Sequence, residues 1–228
     1  ILLVALMFAM SVPVSLGVGK PDQGYLEYGQ VNYELRDGCM YLTSEEPSEL
    51  QEFYGWEKED CTGITAINIG ANIISLPDYS EFAIFNDLQS FSVDAENPSF
   101  TAVNGVLFTK DQTILYGFPN NYYAHEYAVP EGIEEIASYA FFENENLTGI
   151  QFPATLQKIG EKAFKGCVNL ENLELPATLS SLFTDALDGT PIFMAAMQNS
   201  IDTNEKAMFN GVFVGDIYID GWLVRAPF

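Results

Sequence analysis

The sequence predicts a β-rich repeat protein: a solenoid with a parallel β-sheet, short helical turns and inserted β-hairpins. The first observation is the word Pro-Ala-Thr-Leu, which occurs at 153–156 and again 23 residues later at 176–179. The second is that other apolar positions share this interval. They are Pro130, Pro153 and Pro176; Ala140-Phe141, Ala163-Phe164 and Ala186-Leu187; Ile136, Ile159 and Leu182; and Ile133, Leu156 and Leu179. Because several sets of positions keep the same 23-residue interval over three units, the sequence indicates stacked repeats.

Each unit is predicted to contain a short strand, a turn and a short helical segment. Ile150 and Phe152 alternate with Gln151, which is the period of a strand with one buried face. Pro153 ends that strand because it has no N–H group to donate to a sheet. Gly160 permits the next turn. Since a single unit cannot bury both of its apolar edges, we expect neighbouring units to stack with parallel strands.

The segment before the repeats divides into two parts. Residues 1–17 are interpreted as the remnant of a secretory signal peptide, because they carry no charged residue and the first charge is Lys20. A transmembrane helix is the alternative, although Pro13 shortens the apolar run. Residues 18–63 are polar and rich in turn residues, and we expect an N-terminal cap of short strands.

The solenoid is predicted over residues 64–191, with a β-hairpin insert near 94–126. Asn104-Gly105 in that insert is a typical hairpin turn. Residues 192–228 alternate between apolar and turn residues, and we interpret them as a C-terminal hairpin of a truncated repeat.

From Tyr127 to Asp188 the units follow the pattern L-x-x-I-x-φ-P-x-x-L-x-x-I-G-x-x-A-F-x-G-C-x-x-L, where φ is apolar. This pattern resembles the BspA-type leucine-rich repeat. The resemblance implies the α/β leucine-rich-repeat class, a secreted or cell-surface location and binding of host or matrix proteins. The unit around Ile64 departs from the pattern, since it has Gly70 where proline is usual and no Ala-Phe pair. We interpret it as a degenerate capping unit.

The charge of the chain narrows the range of partners. Its 228 residues include 32 acidic and 9 basic residues, for a net charge of −23. Such a field repels phosphate groups, so we expect no nucleic-acid partner. We also expect a monomer without membrane insertion of the mature domain.

No catalytic set is recognisable, so the chain is predicted not to be an enzyme and to need no cofactor. His125 is the only histidine, and neither G-x-S-x-G nor H-E-x-x-H is present. We expect no metal site, because there is no C-x-x-C pair and no calcium-loop pattern. Cys39 and Cys61 flank an irregular stretch, where either a disulfide or two free thiols is compatible with the sequence.

The candidate site is the solvent face of the predicted sheet. Residues between the inward positions of each strand point outward and would form one ladder about 20 Å long at a strand spacing of about 4.8 Å. The ladder consists of Asn68, Ser92, Ala128, Gln151 and Glu174, and the same face carries Thr65, Gln89, Thr148 and Glu171. This surface suits broad recognition of a protein or glycan ligand.

Three functions remain open at this point. The first is a non-catalytic exported module for protein or glycan binding and adhesion, at the cell surface or outside the cell. The second is an accessory recognition domain at the front of a larger secreted hydrolase, a peptidase or a glycosidase. The third is a sugar-binding module that stacks sugar rings on Trp56 and Tyr123.

Overall fold

The structure is a computed structural model. It describes residues 20–26, 30–183 and 185–195, and the backbone of four short strands between 208 and 224. The first ten strands are β1 (Gln23–Leu26), β2 (Val31–Arg36), β3 (Cys39–Thr43), β4 (Ser48–Glu49), β5 (Ala66–Ile69), β6 (Ile73–Ser75), β7 (Ser90–Val93), β8 (Phe100–Val103), β9 (Val106–Thr109) and β10 (Ile114–Gly117). The next ten are β11 (Glu126–Ala128), β12 (Glu135–Ile136), β13 (Gly149–Gln151), β14 (Lys158–Ile159), β15 (Asn172–Leu173), β16 (Ser181–Leu182), β17 (Met208–Phe209), β18 (Val212–Phe213), β19 (Ile217–Ile219) and β20 (Trp222–Val224). A 3-10 helix, η1, spans Tyr79–Ile84, and residues 191–195 are helical.

The chain winds into a β-solenoid of about six turns, each with two strands. The first strands of successive turns are β3, β5, β7, β11, β13 and β15, and the second strands are β4, β6, β10, β12, β14 and β16. Neighbouring strands are parallel wherever they pair. The predicted solenoid with a parallel sheet is confirmed.

The interior column predicted from the 23-residue spacing is also confirmed. Ile136 pairs with Ile159, and Ile159 pairs with Leu182. Leu115 extends the column by one turn, opposite Ile136. Ile136 and Ile159 are fully buried, so the apolar edge of each turn is covered by the next.

The Ala-Phe pairs lie in hydrogen-bonded turns where the sequence led us to expect short helical segments. Phe141 N–H donates to Ala163 O at 2.8 Å, and Phe164 N–H donates to Ala186 O at 2.7 Å. These bonds run from one turn of the solenoid to the next. They alternate with bonds along the chain, such as Phe142 N–H to Tyr139 O and Lys165 N–H to Lys162 O, so no continuous helix forms. The rings of Phe118, Phe141 and Phe164 form a buried stack with 4.7 Å between successive centroids.

The hairpin insert is built into the stack of second strands. β8 and β9 are joined by Asn104-Gly105, both with positive φ, as the hairpin turn requires. β9 then pairs antiparallel with β10, so the hairpin lies beside turns three to six in the same sheet. Leu107 belongs to the N-terminal hydrophobic cluster, whereas Val106 and Phe108 belong to the C-terminal one. β9 therefore separates two hydrophobic cores.

The predicted cap at 18–63 and the solenoid overlap. β3 pairs with β5 and β4 pairs with β6, so the first turn of the solenoid already lies within that segment. β1 and β2 extend the sheet antiparallel beyond this turn. At the other end, β17 pairs with β18 and β19 with β20, both antiparallel.

The predicted signal-peptide remnant, residues 1–17, lies outside the described residues. Within the part of the chain that the structure describes, no helix is both long enough and apolar enough to cross a membrane.

Cys39 and Cys61 are free thiols in this structure, so the disulfide considered from the sequence is not formed. The reason lies in the alternation of β3. Met40 and Leu42 point into the core and are fully buried, so half-buried Cys39 lies on the opposite, outer side. Cys61 is part of the hydrophobic cluster inside.

Candidate binding face

The predicted face is present in two parts. Asn68 and Ser92 lie opposite each other on β5 and β7, and Ala128 and Gln151 lie opposite each other on β11 and β13. β7 and β11, however, belong to different sheets. At the edge of β7, Phe91 N–H donates to Gly105 O, in the tip of the hairpin, at 2.8 Å. The expected ladder of five residues is therefore interrupted between Ser92 and Ala128.

The two parts differ in how their polar groups are used. Asn68 Nδ2 donates to Ser92 Oγ at 2.9 Å, so these two side chains contact each other within the face. Gln151, Glu171 and Glu174 are exposed. None of these three side chains takes part in a hydrogen bond or ion pair with another described residue. The predicted site residues whose side chains have no such contact are therefore on β13 and on either side of β15.

Thr148 has a structural task at the start of β13. Its N–H donates to His125 O at 2.7 Å, and its hydroxyl donates to the same oxygen at 3.1 Å. Glu171 N–H in turn donates to Thr148 O at 3.0 Å. Of these two predicted site residues, Thr148 links successive turns, while the Glu171 side chain remains exposed.

An open depression of about 1020 Å³ lies on the face of the three-stranded sheet formed by β11, β13 and β15. Its lining residues are Glu126, Tyr127, Ala128, Gly149, Ile150, Gln151, Phe152, Glu171, Asn172, Leu173, Glu174, Leu175 and Pro176. Of the predicted site residues it includes Gln151, Glu171 and Glu174, but not Asn68, Ser92 or Thr148.

Gly149 forms the middle of the outward row Glu126, Gly149 and Asn172. A Cβ atom placed on Gly149 would lie 3.4 Å from Asn172 Cβ and 3.4 Å from Glu126 Cγ. Gly149 is buried, so the side chains of its two neighbours cover this position in the row.

Sequence reasoning missed three residues of the depression: Glu126, Gly149 and Asn172. They are 23 residues apart, like the repeat positions that were recognised. They also precede the outward positions Ala128 and Gln151 by two residues on their strands, which places them on the same face. The 23-residue spacing and the strand alternation therefore identify this second outward row as well.

The depression is negatively charged. Its lining contains the carboxylates Glu126, Glu171 and Glu174 and no Lys, Arg or His. No ion pair among the described residues involves any of the three. The net charge of −23 adds a background field of the same sign. The face therefore favours cationic groups.

The aromatic residues considered for sugar stacking have different environments. Trp56 is 7% exposed and makes an edge contact with Tyr33 at 5.0 Å between centroids, so it belongs to the core. Tyr123 is 80% exposed and packs on Tyr122 at 4.4 Å. Of the proposed pair, only Tyr123 is available to a ligand.

The described residues contain no group of three or more His, Cys, Asp and Glu side chains arranged to hold a metal ion. His125, the only histidine, is exposed, and its Nδ1 lies 2.9 Å from Asn146 O. The contacts of this histidine therefore tie it to the backbone of the next turn.

Part of the chain is similar to a known protein family and to solved structures. Residues 114–221 match the BspA type leucine rich repeat region in six copies. Two solved structures with some similarity are the pneumococcal vaccine antigen PcpA and a leucine rich cell surface protein from Faecalibacterium prausnitzii. The first is 31% identical over 51% of this chain and 28% of that chain, with a TM-score of 0.47. The second is 20% identical over 55% and 39%, with a TM-score of 0.45.

This chain therefore spans well under half the length of either protein. A search of curated proteins gave no significant match. The family match begins at Ile114, the first residue of β10, and covers the turns with the 23-residue spacing. Residues 114–221 thus match the BspA-type leucine-rich repeat that the sequence pattern resembles.

Proposed function

We propose that this chain is a non-catalytic, exported recognition module that binds a protein ligand on the outer face of β11, β13 and β15. In this role it would contribute to adhesion at the cell surface or outside the cell. The observation that carries the proposal is the open depression on this face, lined by exposed polar side chains without partners among the described residues. The export part rests on the uncharged apolar segment at residues 1–17 and on the repeat family.

The scaffold under this face suits recognition of a large partner. Ile150 and Leu173 point inward from the strands and are 4% and 5% exposed, so the backbone is anchored on a packed core. A face held rigid in this way loses little conformational entropy when a ligand binds. Stacked repeats present broad surfaces of this kind, whereas small molecules are usually bound in enclosed apolar pockets.

A protein ligand is favoured over a glycan by the chemistry of the lining. Exposed carboxylates and amides match the charged and polar groups of a protein surface. Sugar sites stack rings on exposed aromatic residues, and of the two residues considered only Tyr123 is exposed. Tyr123→Ala tests the glycan alternative on an array of immobilised glycans, where loss of a signal seen with the unchanged chain would support sugar binding.

Binding to a panel of immobilised extracellular-matrix and host-surface proteins tests the proposed function. The variant Gln151→Arg/Glu174→Arg changes the face, and Gln157→Arg/Glu131→Arg is the control. Each pair alters the net charge by the same amount, and both control residues are exposed and outside the depression. We expect the unchanged chain and the control to bind at least one protein and the face variant to lose it. Equal binding by the two variants, or no binding across the panel, would contradict the proposal.

A further inference from the structure

We propose that the tip of the hairpin insert is a site of covalent modification, at which Asn104 converts to a mixture of aspartate and isoaspartate through a succinimide formed with Gly105. The modification needs no enzyme, because the two reacting groups are adjacent in the turn and water is the co-reactant. Isoaspartate at this position detaches the tip of the hairpin from β7.

Both reacting groups are accessible in the folded protein. Asn104 is exposed, and its side chain makes no hydrogen bond or ion pair with another described residue. The N–H group of Gly105 likewise has no acceptor among the described residues. Because glycine has no Cβ atom, the preceding side chain can reach its backbone nitrogen without steric hindrance. The carboxamide and the amide nitrogen are therefore both available for reaction.

The other asparagines of the described residues are less suited to this reaction. Asn104 is the only one of them that precedes a glycine. Asn86 is exposed as well, but it precedes Asp87, whose side chain hinders the approach to the backbone nitrogen. Asn144 is fully buried, and its Nδ2 donates to Pro119 O at 3.1 Å. Sequence and exposure together thus favour the tip of the hairpin.

The reaction balances without an oxidant or a reductant. The nitrogen of Gly105 loses its proton to hydroxide and attacks Cγ of Asn104, so a bond from nitrogen to Cγ forms and the side-chain nitrogen leaves as ammonia. Water then opens the cyclic succinimide. Addition at Cγ breaks the new bond and gives aspartate with the original backbone. Addition at the main-chain carbonyl carbon gives isoaspartate, whose backbone runs through Cβ and Cγ and is longer by a methylene group.

The longer backbone is incompatible with the contacts of the tip. Phe91 N–H at the edge of β7 donates to Gly105 O at 2.8 Å, and Tyr122 Oη donates to Asn104 O at 3.1 Å. Both turn residues have positive φ, 51° and 84°, as a hairpin turn of two residues requires. In isoaspartate the carbonyl group that accepts from Tyr122 becomes part of a free carboxylate, and the chain to Gly105 is longer. The turn and the bond to β7 are therefore lost together.

Incubation of the full chain at pH 8.5, followed by proteolysis and mass spectrometry, tests the site. Conversion replaces an NH2 group by OH, and fragmentation by electron transfer distinguishes isoaspartate from aspartate. We expect Asn104 to convert before any other described asparagine, and faster at pH 8.5 than at pH 6, because the attacking nitrogen must be deprotonated. Asn86 is the exposed control. Asn210-Gly211 repeats the dipeptide elsewhere in the sequence and shows whether the conditions support the reaction.

Two variants separate the effects of the ring and of the charge. Asn104→Gln places the carboxamide one bond further from the nitrogen, so cyclisation should become much slower. Gln112 has a φ of 56°, so glutamine is compatible with this backbone conformation. Asn104→Asp supplies the charge without the longer backbone. Hydrogen exchange of the Phe91 amide, followed by nuclear magnetic resonance, should be roughly 2- to 13-fold faster in the isoaspartate form, as for the loss of one hydrogen bond, and unchanged in Asn104→Asp.

The modification site is refuted if Asn104 stays unconverted, whether or not Asn210 converts, or if Asn86 converts as fast as Asn104. Conversion of Asn104→Gln at the rate of the unchanged chain would also contradict it. An isoaspartate form in which the Phe91 amide exchanges as slowly as in the unchanged chain would contradict the detachment of the tip from β7.

Discussion

Replacement of Phe141 by alanine probes the central assumption of the fold, that successive turns bury one another. Phe141 is fully buried and lies in the middle of the aromatic stack, 4.7 Å from the centroid of Phe118 on one side and 4.7 Å from that of Phe164 on the other. A cavity there removes contacts from the cores of three successive turns. For a buried phenylalanine the expected loss in the free energy of unfolding is about 3–5 kcal/mol.

Two further variants provide reference values for this loss in the free energy of unfolding. Phe141→Leu should lose only about 1–2 kcal/mol, because leucine retains most of the volume and Leu187 occupies the equivalent place two units later. Gln151→Ala on the outer face should change the free energy of unfolding by less than about 0.5 kcal/mol. In a chain of this size 1 kcal/mol corresponds to about 2–4 °C in Tm, so Phe141→Ala should melt roughly 6–20 °C lower.

Thermal melts followed by far-ultraviolet circular dichroism measure all three, with urea unfolding as a second determination. If Phe141→Ala and Gln151→Ala melted alike, the assignment of inward and outward residues would be wrong. A loss in Phe141→Leu as large as in Phe141→Ala would show that the aromatic stack, and not the filled volume, stabilises this part of the solenoid.

Three further predictions follow from close contacts and from buried titratable groups. Gly160→Ala should lose about 1–3 kcal/mol in urea unfolding, because its Cβ would lie 2.6 Å from Ser138 N; Gly149→Ala, with its nearest atoms at 3.4 Å, should show no loss. In a thiol-labelling assay at pH 8, Cys39 should react in the folded protein, whereas Cys61 and Cys167 should react only after unfolding. The reason is that burial raises the pKa of Cys61 and of Cys167 to about 12. A folded protein without any reactive thiol would contradict this prediction and indicate a disulfide. Burial and the charge of Asp78 raise the pKa of Tyr116 to about 12 from the usual 10, so its contribution to stability is complete below pH 10 and is lost as the pH rises toward 12. Tyr116→Phe should reduce this alkaline loss in urea unfolding measured from pH 8 to pH 11.5, and an unchanged pH dependence would contradict the assignment.

The stacked units of the fold were predictable from the sequence, because equivalent residues in successive units have the same environment. Ile136, Ile159 and Leu182 form one column because each occupies the same place in a stacked turn. The first turn was missed because β3 and β4 lack the Ala-Phe pair and the proline that marked later units. Their pairing with β5 and β6 depends on contacts across the sheet, which single-residue patterns do not report.

The candidate site was only partly predictable for a related reason. The outward row with Gln151 and Glu174 was identified, and both residues line the depression. The interruption of this row by the insert was not predictable. A hairpin signal such as Asn104-Gly105 specifies the turn but not the place where the hairpin packs. The row of Glu126, Gly149 and Asn172 was not identified, because the glycine at its centre has no side chain that marks it as an outward position.

The position of the hairpin determines which part of the sheet is available for binding. β9 pairs with β10 in the stack of second strands, and the tip of the hairpin bonds to Phe91 at the edge of β7. The first strands are thereby divided, with Asn68 and Ser92 bonded to each other on one side. On the other side, the Gln151 and Glu174 side chains are exposed and line the depression. Under the proposed function, we therefore expect the ligand to bind at the three strands after the insert, where polar side chains have no partner among the described residues.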